Sequence, residues 1–231
     1  MKKSIIICVV IILFSSNFTL ADIWTTLYAP GAVNTYVYGI DGQNVVGYYN
    51  DGHMDGGHGF LYNLITKNWT MLDKPGATAT RITDIEGTKL VGYYSNANLP
   101  NDAHGFLYDG TTWNAINISG TETVVMGIDG GNLVGYYWND NSITSGFLNN
   151  GSTWSTLNNP GASSTYVSSI SGNYIVGSSG RWTGGSDGFL YDKISGSWIN
   201  INAPETDFTY INGIDGGNIV GYYEDWGGLN S

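Results

Sequence analysis

Three features of the 231-residue chain predict an all-β fold, a five-bladed β-propeller of four-stranded antiparallel blades. The segment Ile40-Asp41-Gly42-Gln43-Asn44-Val45-Val46-Gly47-Tyr48-Tyr49 returns at 85–94, 128–137, 170–179 and 214–223, its Val-Gly glycine spaced by 45, 43, 42 and 44 residues. Tryptophans at Trp24, Trp69, Trp113, Trp154 and Trp198 keep the same period, as do Gly-Phe-Leu runs starting at Gly59, Gly105, Gly146 and Gly188. Composition agrees: 34 glycines, 17 tyrosines, 8 tryptophans and only 12% charged residues favour short strands and tight turns over helices.

Each unit reads as four strands. The first, such as Tyr36 to Ile40, enters Asp41-Gly42-Gln43-Asn44, and the second, Val45 to Tyr49, leaves it; Asp-Gly-Gly-Asn in the third and fifth copies is a strong hairpin signal because glycine accepts positive φ. The third strand, Gly105 to Tyr108, turns through Asp109-Gly110 into the fourth, Trp113 to Asn117. Counting from Asp22, the chain opens on a lone fourth-type strand (Trp24 to Leu27), runs through four complete units and finishes with a first and second strand across Tyr210 to Tyr223. The ends supply parts of one blade, so the ring is expected to close by N- and C-terminal strands, whereas a solenoid, the alternative architecture, would need polar caps. A third strand after Gly221 would fall near position 231. The last blade is thus either incomplete or part of a longer repeat protein, and its open edge is a route to self-association.

The N-terminus carries an address. Met1-Lys2-Lys3, the apolar run Ser4 to Phe14 and the closing Thr19-Leu20-Ala21 have the order of a secretory signal peptide, dividing the chain into a signal at 1–21 and one propeller domain at 22–231. Cleavage near Ala21 would leave a secreted, periplasmic or cell-surface protein. The apolar run falls short of the roughly 20 residues a membrane helix needs, so the mature chain is expected to have no membrane span. Cys8, the one cysteine, lies inside that run, which leaves the mature domain without disulfides or thiolate chemistry.

The runs His58-Gly59-Phe60-Leu61-Tyr62 and His104-Gly105-Phe106-Leu107-Tyr108, the Pro-Gly-Ala segments at Pro30, Pro75 and Pro160, and Gly213 to Tyr223 resemble the bacterial extracellular repeats named for a His-Ala-Phe motif. The resemblance covers most of 24–226 and implies secretion and surface association, with no activity to carry over. Here Gly stands in place of the motif's Ala, and Ser145 and Asp187 replace His in two units.

Charge and site chemistry narrow the function. Nineteen acidic residues face 8 basic ones, two of which are Lys2 and Lys3, so nucleic acid and sulfated polymers are disfavoured partners. His53, His58 and His104 are too few for the three or four converging ligands of a zinc site, and are expected to bond neighbouring loops. Asp41, Glu86, Asp129 and Asp215 could form a ring of carboxylates, but Asp before Gly is expected to stabilise its own turn. The oxygen-rich stretch Asn50 to Gly56 lacks the spaced carboxylates of a calcium loop. No catalytic residue, metal or cofactor is assigned.

The periodic tryptophans are expected to be core. Trp138, Trp182 and Trp226 instead fall between second and third strands, on the face whose loops vary from copy to copy. With Asp140, Arg181, Glu224 and Asp225 they form the candidate ligand-binding set. The leading function is a secreted, non-catalytic protein that binds glycan or extracellular polymer. The alternatives are a purely structural envelope or matrix protein, and a carboxylate-dependent hydrolase or lyase working in the central channel.

Overall fold

The structure is a computed structural model and describes residues 9–10, 25–52, 56–96, 102–118, 121–138 and 143–224. Strands β1 (Val9–Val10) and β2 (Thr25–Thr26) pair with each other. The first blade is β3 (Asn34–Asp41), β4 (Asn44–Asn50), β5 (His58–Asn63) and β6 (Trp69–Met71), in that order across the sheet. The second is β7 (Ala79–Glu86), β8 (Lys89–Ser95), β9 (His104–Tyr108) and β10 (Trp113–Ile116). The third is β11 (Glu122–Asp129), β12 (Asn132–Trp138), β13 (Thr144–Asn149) and β14 (Trp154–Leu157). The fourth is β15 (Ser164–Ser171), β16 (Tyr174–Gly180), β17 (Ser186–Asp192) and β18 (Trp198–Asn200). A hairpin of β19 (Phe208–Asp215) and β20 (Asn218–Glu224) follows, tied to β17 by one parallel bridge, Ser186 with Phe208. The described residues contain no helix.

The propeller therefore has four blades, not five, with the fifth unit present as a two-stranded hairpin. The expected ring closure is corrected too: Thr25–Thr26 pair with Val9–Val10 and not with β20. Trp24 lies outside the described residues. Ile40 on the first blade and Val220 on the last hairpin are exposed where their counterparts, Ile85 and Ile128 for the first and Val134 for the second, are buried. The two ends of the arc thus leave a seam.

The repeated residues follow from one piece of backbone geometry. In every inner strand one extra residue is bulged against the second strand: the register shifts fall at Val37/Gly39, Ile82/Asp84, Val125/Gly127, Val167/Ser169 and Ile211/Gly213. Opposite each bulge sits the Val-Gly glycine. A Cβ on Gly47, Gly92, Gly135, Gly177 or Gly221 would lie 1.9, 2.0, 2.0, 2.0 or 2.1 Å from a first-strand carbonyl oxygen, so no larger residue fits. The third strand sets Phe60, Phe106, Phe147 and Phe189 directly across from Gly47, Gly92, Gly135 and Gly177, and all four rings are fully buried. Glycine and phenylalanine are one packing unit.

Cores lie between blades. Val46 packs with Ile82, Ile85, Leu90 and Phe106; Val91 with Val125, Ile128, Leu133 and Phe147; Val134 with Val167, Ile170, Ile175 and Phe189. Burying side chains of this size contributes about 1.5–3 kcal/mol each. Of the periodic tryptophans that are described, Trp69, Trp113 and Trp198 pack against the cores as expected but are half-buried rather than fully enclosed. Trp69, Trp113, Trp154 and Trp198 stand against Phe60, Phe106, Phe147 and Phe189 at 5.0, 4.8, 5.1 and 5.0 Å on the outer strand, and Trp154 is 42% exposed. They shield the rim of each core.

Gly135→Ala should lower the unfolding free energy by about 3 kcal/mol or more, because its Cβ would collide with backbone that cannot swing aside. Gly217→Ala, at an open position, should stay within about 0.5 kcal/mol. Denaturant titrations of both variants check the contrast.

Candidate functional site: a tyrosine-walled cleft above the channel

The repeat builds a channel and then breaks its own rule at one point. The five bulged residues, Tyr38, Thr83, Met126, Ser168 and Asn212, all turn into the axial channel, which also receives Asp84 and Asp215. Bulges re-aim side chains, which accounts for these five positions sharing one cavity. One position before each bulged pair, the strands set Tyr36 across from Tyr48, Arg81 from Tyr93, the buried Val124 from Tyr136, Tyr166 from Ser178, and Tyr210 from Tyr222. Tyr36 stacks on Tyr48 at 4.7 Å, Tyr210 on Tyr222 at 4.8 Å, and Arg81 lies 5.2 Å from Tyr48 and 5.4 Å from Tyr93.

Only the fourth copy lacks the tyrosine after its Val-Gly glycine. Ser178 takes that place, and the missing ring leaves a cleft of about 470 Å³ walled by Tyr136, Tyr166, Tyr210 and Tyr222. Ser178 Oγ accepts the Ile211 N–H at 2.9 Å. Ser168, Ser186 and Asn212 add polar atoms to the walls. Tyr136 meets Tyr166 edge to face at 5.3 Å, and the Tyr166 hydroxyl accepts from Thr144 Oγ1 at 3.1 Å. Burial pushes the Tyr48 and Tyr136 phenols far above the usual tyrosine range, so both remain neutral donors.

None of the predicted residues that are described lines this cleft, although Trp138, Arg181 and Glu224 each interact with a residue that does. The turn after β16 is closed by Gly184 N–H to Arg181 O at 3.1 Å and Arg181 N–H to Gly185 O at 3.2 Å, and it holds Trp182 74% exposed. Arg181 lies over Gly185, a cleft residue, donates to the Asp207 carbonyl and stands 3.7 Å from Asp187 Oδ1. Trp138 is the last residue of β12 rather than a loop residue; half-buried, it meets Tyr136 edge-on at 5.3 Å. Glu224 ends β20 opposite Phe208, and its charge adds to the burial that raises the Tyr210 phenol. Asp140, Asp225 and Trp226 lie outside the described residues, as does His53.

The other candidates resolve into structural roles. His58 Nδ1 lies 2.8 Å from Asp73 Oδ2, and His104 Nε2 lies 2.7 Å from Asp102 Oδ1, so both bond neighbouring loops. The repeated hairpin acid does not stabilise its own turn as expected. Instead Asp41, Glu86 and Asp129 accept the N–H of Gly87, Gly130 and Gly172, each at 2.6 Å, and Ser171 accepts that of Gly216 at 3.0 Å. Each such residue staples its blade to the next. Turns of the local kind occur at the other hairpin, where Asp109 Oδ1 accepts from Thr111 and Thr112 and its carboxyl is held below the usual range.

One repeated polar position escaped the sequence reading. Thr35, Thr80, Thr123, Thr165 and Thr209 are all buried, and each Oγ1 accepts a connecting-loop N–H, from Ala29, Lys74, Ile118, Asn159 and Ala203, at 3.0 to 3.1 Å. The signal was available: a threonine stands five residues before the repeat isoleucine in all five copies.

The sequence matches no protein-family model and no curated protein. Among solved structures, a chain from a structural and mechanistic study of two prolyl endopeptidases is similar at 14% identity and a TM-score of 0.54, over 75% of this chain and 27% of that one. Two Aleuria aurantia lectin mutant chains, in complex with α-methyl-L-fucoside and with Fucα1-6GlcNAc, are similar at 17% and 16% identity and a TM-score of 0.49, over 84% of this chain and 70% and 71% of theirs. The first likeness speaks for the fold alone.

Asp84 offers a pH test of the channel. Its counterparts are Gly39, Gly127, Ser169 and Gly213; burial raises its carboxyl to about 6, although the N–H groups of Ile128 and Ile85, both at 2.9 Å, pull the other way. A folded-state value above the unfolded one means that the folded protein binds more protons between about pH 4 and 6, so stability from this group is fully present below that window and is lost as pH rises through 6. Melting curves should show this decline in the native protein and a flatter profile in Asp84→Asn.

Proposed function

We propose that this is a carbohydrate-binding propeller, exported and held at or beyond the cell surface, that takes a sugar in the tyrosine-walled cleft, with Trp182 on the exposed turn between the lining residues Gly180 and Gly185. The observation that carries the reading is the Ser178 substitution, which opens a cavity bounded by four tyrosines on a scaffold that otherwise fills that position. Phenol and indole faces offer stacking planes for sugar rings, while Ser168, Ser186 and Asn212 offer hydrogen-bond partners of the kind hydroxyls need. The 470 Å³ cleft is of a size for a small number of sugar units.

The charge supports a neutral or weakly cationic glycan, since 19 acids against 8 bases repel polyanions at long range. The signal-like N-terminus and the His-Ala-Phe resemblance support export and a bacterial surface setting. For the hydrolytic alternative, Asp84 is the buried channel carboxylate, and both of its oxygens are engaged by backbone N–H groups, which suits a structural role.

A glycan array tests the reading. The native protein should give hits among neutral glycans; Trp182→Ala should weaken them about tenfold, and Ser178→Tyr should abolish them by filling the cleft while leaving the protein folded. Hits that survive Ser178→Tyr would remove the cleft from consideration, and an array without hits would favour a purely structural protein.

A further inference from the structure

We propose that Asn212-Gly213 is a modification site, where the Asn212 carboxamide converts without an enzyme to a carboxylate and sets a new negative charge in the wall that the cleft and the channel share. The modification itself does not rest on the glycan reading.

Asparagine followed by glycine occurs twice in the chain, at Asn150-Gly151 and Asn212-Gly213. Glycine next in sequence favours the reaction, because without a Cβ its backbone turns freely and its nitrogen can meet the carboxamide carbon. The Gly213 nitrogen gives up its proton and bonds to Asn212 Cγ, the Cγ–Nδ2 bond breaks with loss of ammonia, and a cyclic imide results. Water then opens the imide at either carbonyl, giving aspartate or isoaspartate. One water is consumed, one ammonia is released, and nothing is oxidised or reduced.

The fold treats the two pairs differently. At the first, Asn150 Oδ1 accepts the N–H groups of Ser152 at 3.0 Å and Thr153 at 2.8 Å and the Thr153 hydroxyl at 3.1 Å, while the Gly151 N–H donates to Asn149 Oδ1 at 2.7 Å. Both reacting groups are tied down, and the turn has to open before they meet. Asn212 is instead the bulged residue of β19, skipped by the register between Ile211 and Gly213. It is exposed, its side chain makes no hydrogen bond among the described residues, and it lines both cavities. A bulged residue stands outside the ladder, so less bonding holds it in place.

The position gives the conversion a consequence. Asp84 and Asp215 already line the channel, and among the described residues no lysine or arginine lines either cavity. A third carboxylate adds to that charge and replaces a group that both donates and accepts with one that only accepts. For a sugar in the cleft this removes a donor from the wall, an effect that does rest on the glycan reading.

The test holds the full, folded chain in warm, mildly alkaline water enriched in heavy oxygen and maps the label by mass spectrometry of peptides. Label should enter at Asn212, as aspartate and isoaspartate, at least about tenfold faster than at Asn150. In denaturant the two sites should convert at rates within about twofold, since the difference comes from the fold. Gly213→Ala should slow the reaction at Asn212 about tenfold. That variant has room to fold: its Cβ would meet only Val220 Cγ2, at 3.4 Å, and Asp84 and Ser169 carry side chains at the same place in their blades. Equal rates at the two sites in the folded protein, a faster Asn150, or a rate at Asn212 unmoved by Gly213→Ala would each overturn the proposal. Asn212→Asp beside native protein on the glycan array reads the consequence separately: weaker binding of a neutral hit is expected, and unchanged binding would overturn the effect on the cleft while the label alone decides the modification.

Discussion

The blade rests on the approach of one strand's carbonyl oxygen to the bare Cα of a glycine. A bulge pushes the carbonyls of Tyr36, Arg81, Val124, Tyr166 and Tyr210 toward the second strand, to within about 2 Å of where a Cβ would sit. Glycine is therefore obligatory there on steric grounds, independent of any φ preference. The space above it is filled from the third strand by phenylalanine, which turns a weak point of the sheet into the best-buried ring of each blade. Two of the sequence's periodic markers, Val-Gly-Tyr and Gly-Phe-Leu, are thus the two sides of one contact. The same bulge aims a side chain at the axis, so the scaffold and the channel lining have a common origin.

Polar repeats perform a different task, which is to hold neighbouring units in phase. The hairpin acids reach across to the next blade's glycine N–H, and the buried threonines fasten the connecting loops. Each bond contributes roughly 0.5–1.5 kcal/mol, more where a carboxylate accepts. Repetition makes them count, because every interface between consecutive units receives the same pair of fastenings. At the seam the series stops: Asp215, the last hairpin acid, faces the open channel beside the first blade.

Function, on this reading, lives where the copies differ. Ser178 in place of tyrosine, Asp84 in place of glycine or serine, Arg81 between two tyrosines and the Arg181-Trp182 turn are departures from a regular pattern, and three of the four border the cleft or the channel mouth. A regular repeat fills its own interior. An irregular residue is what leaves room for a ligand.

The periods of glycine, phenylalanine and tryptophan determined by themselves that the chain folds into consecutive four-stranded antiparallel sheets, since each marker answers a local rule of strand, turn or cross-strand pairing. They also placed Trp182 and Arg181 on a loop of the variable face. What the sequence could not decide were matters of distance between units. The hairpin acids looked like local turn formers because Asp-Gly is one; only the packing of successive blades reveals that the nearest unsatisfied N–H belongs to the next hairpin. The periodic tryptophans looked like core because indoles favour burial, yet the outermost strand puts them at the rim. Ring closure was inferred from complementary ends, but whether two chain ends meet is set by the curvature accumulated over all the blades, and here β2 pairs with β1 while β20 pairs, among the described residues, with β19 alone. The cleft was invisible for the same reason: a serine for a tyrosine is one letter in the sequence, and it becomes a cavity only when four tyrosines from three neighbouring units converge on the space it leaves.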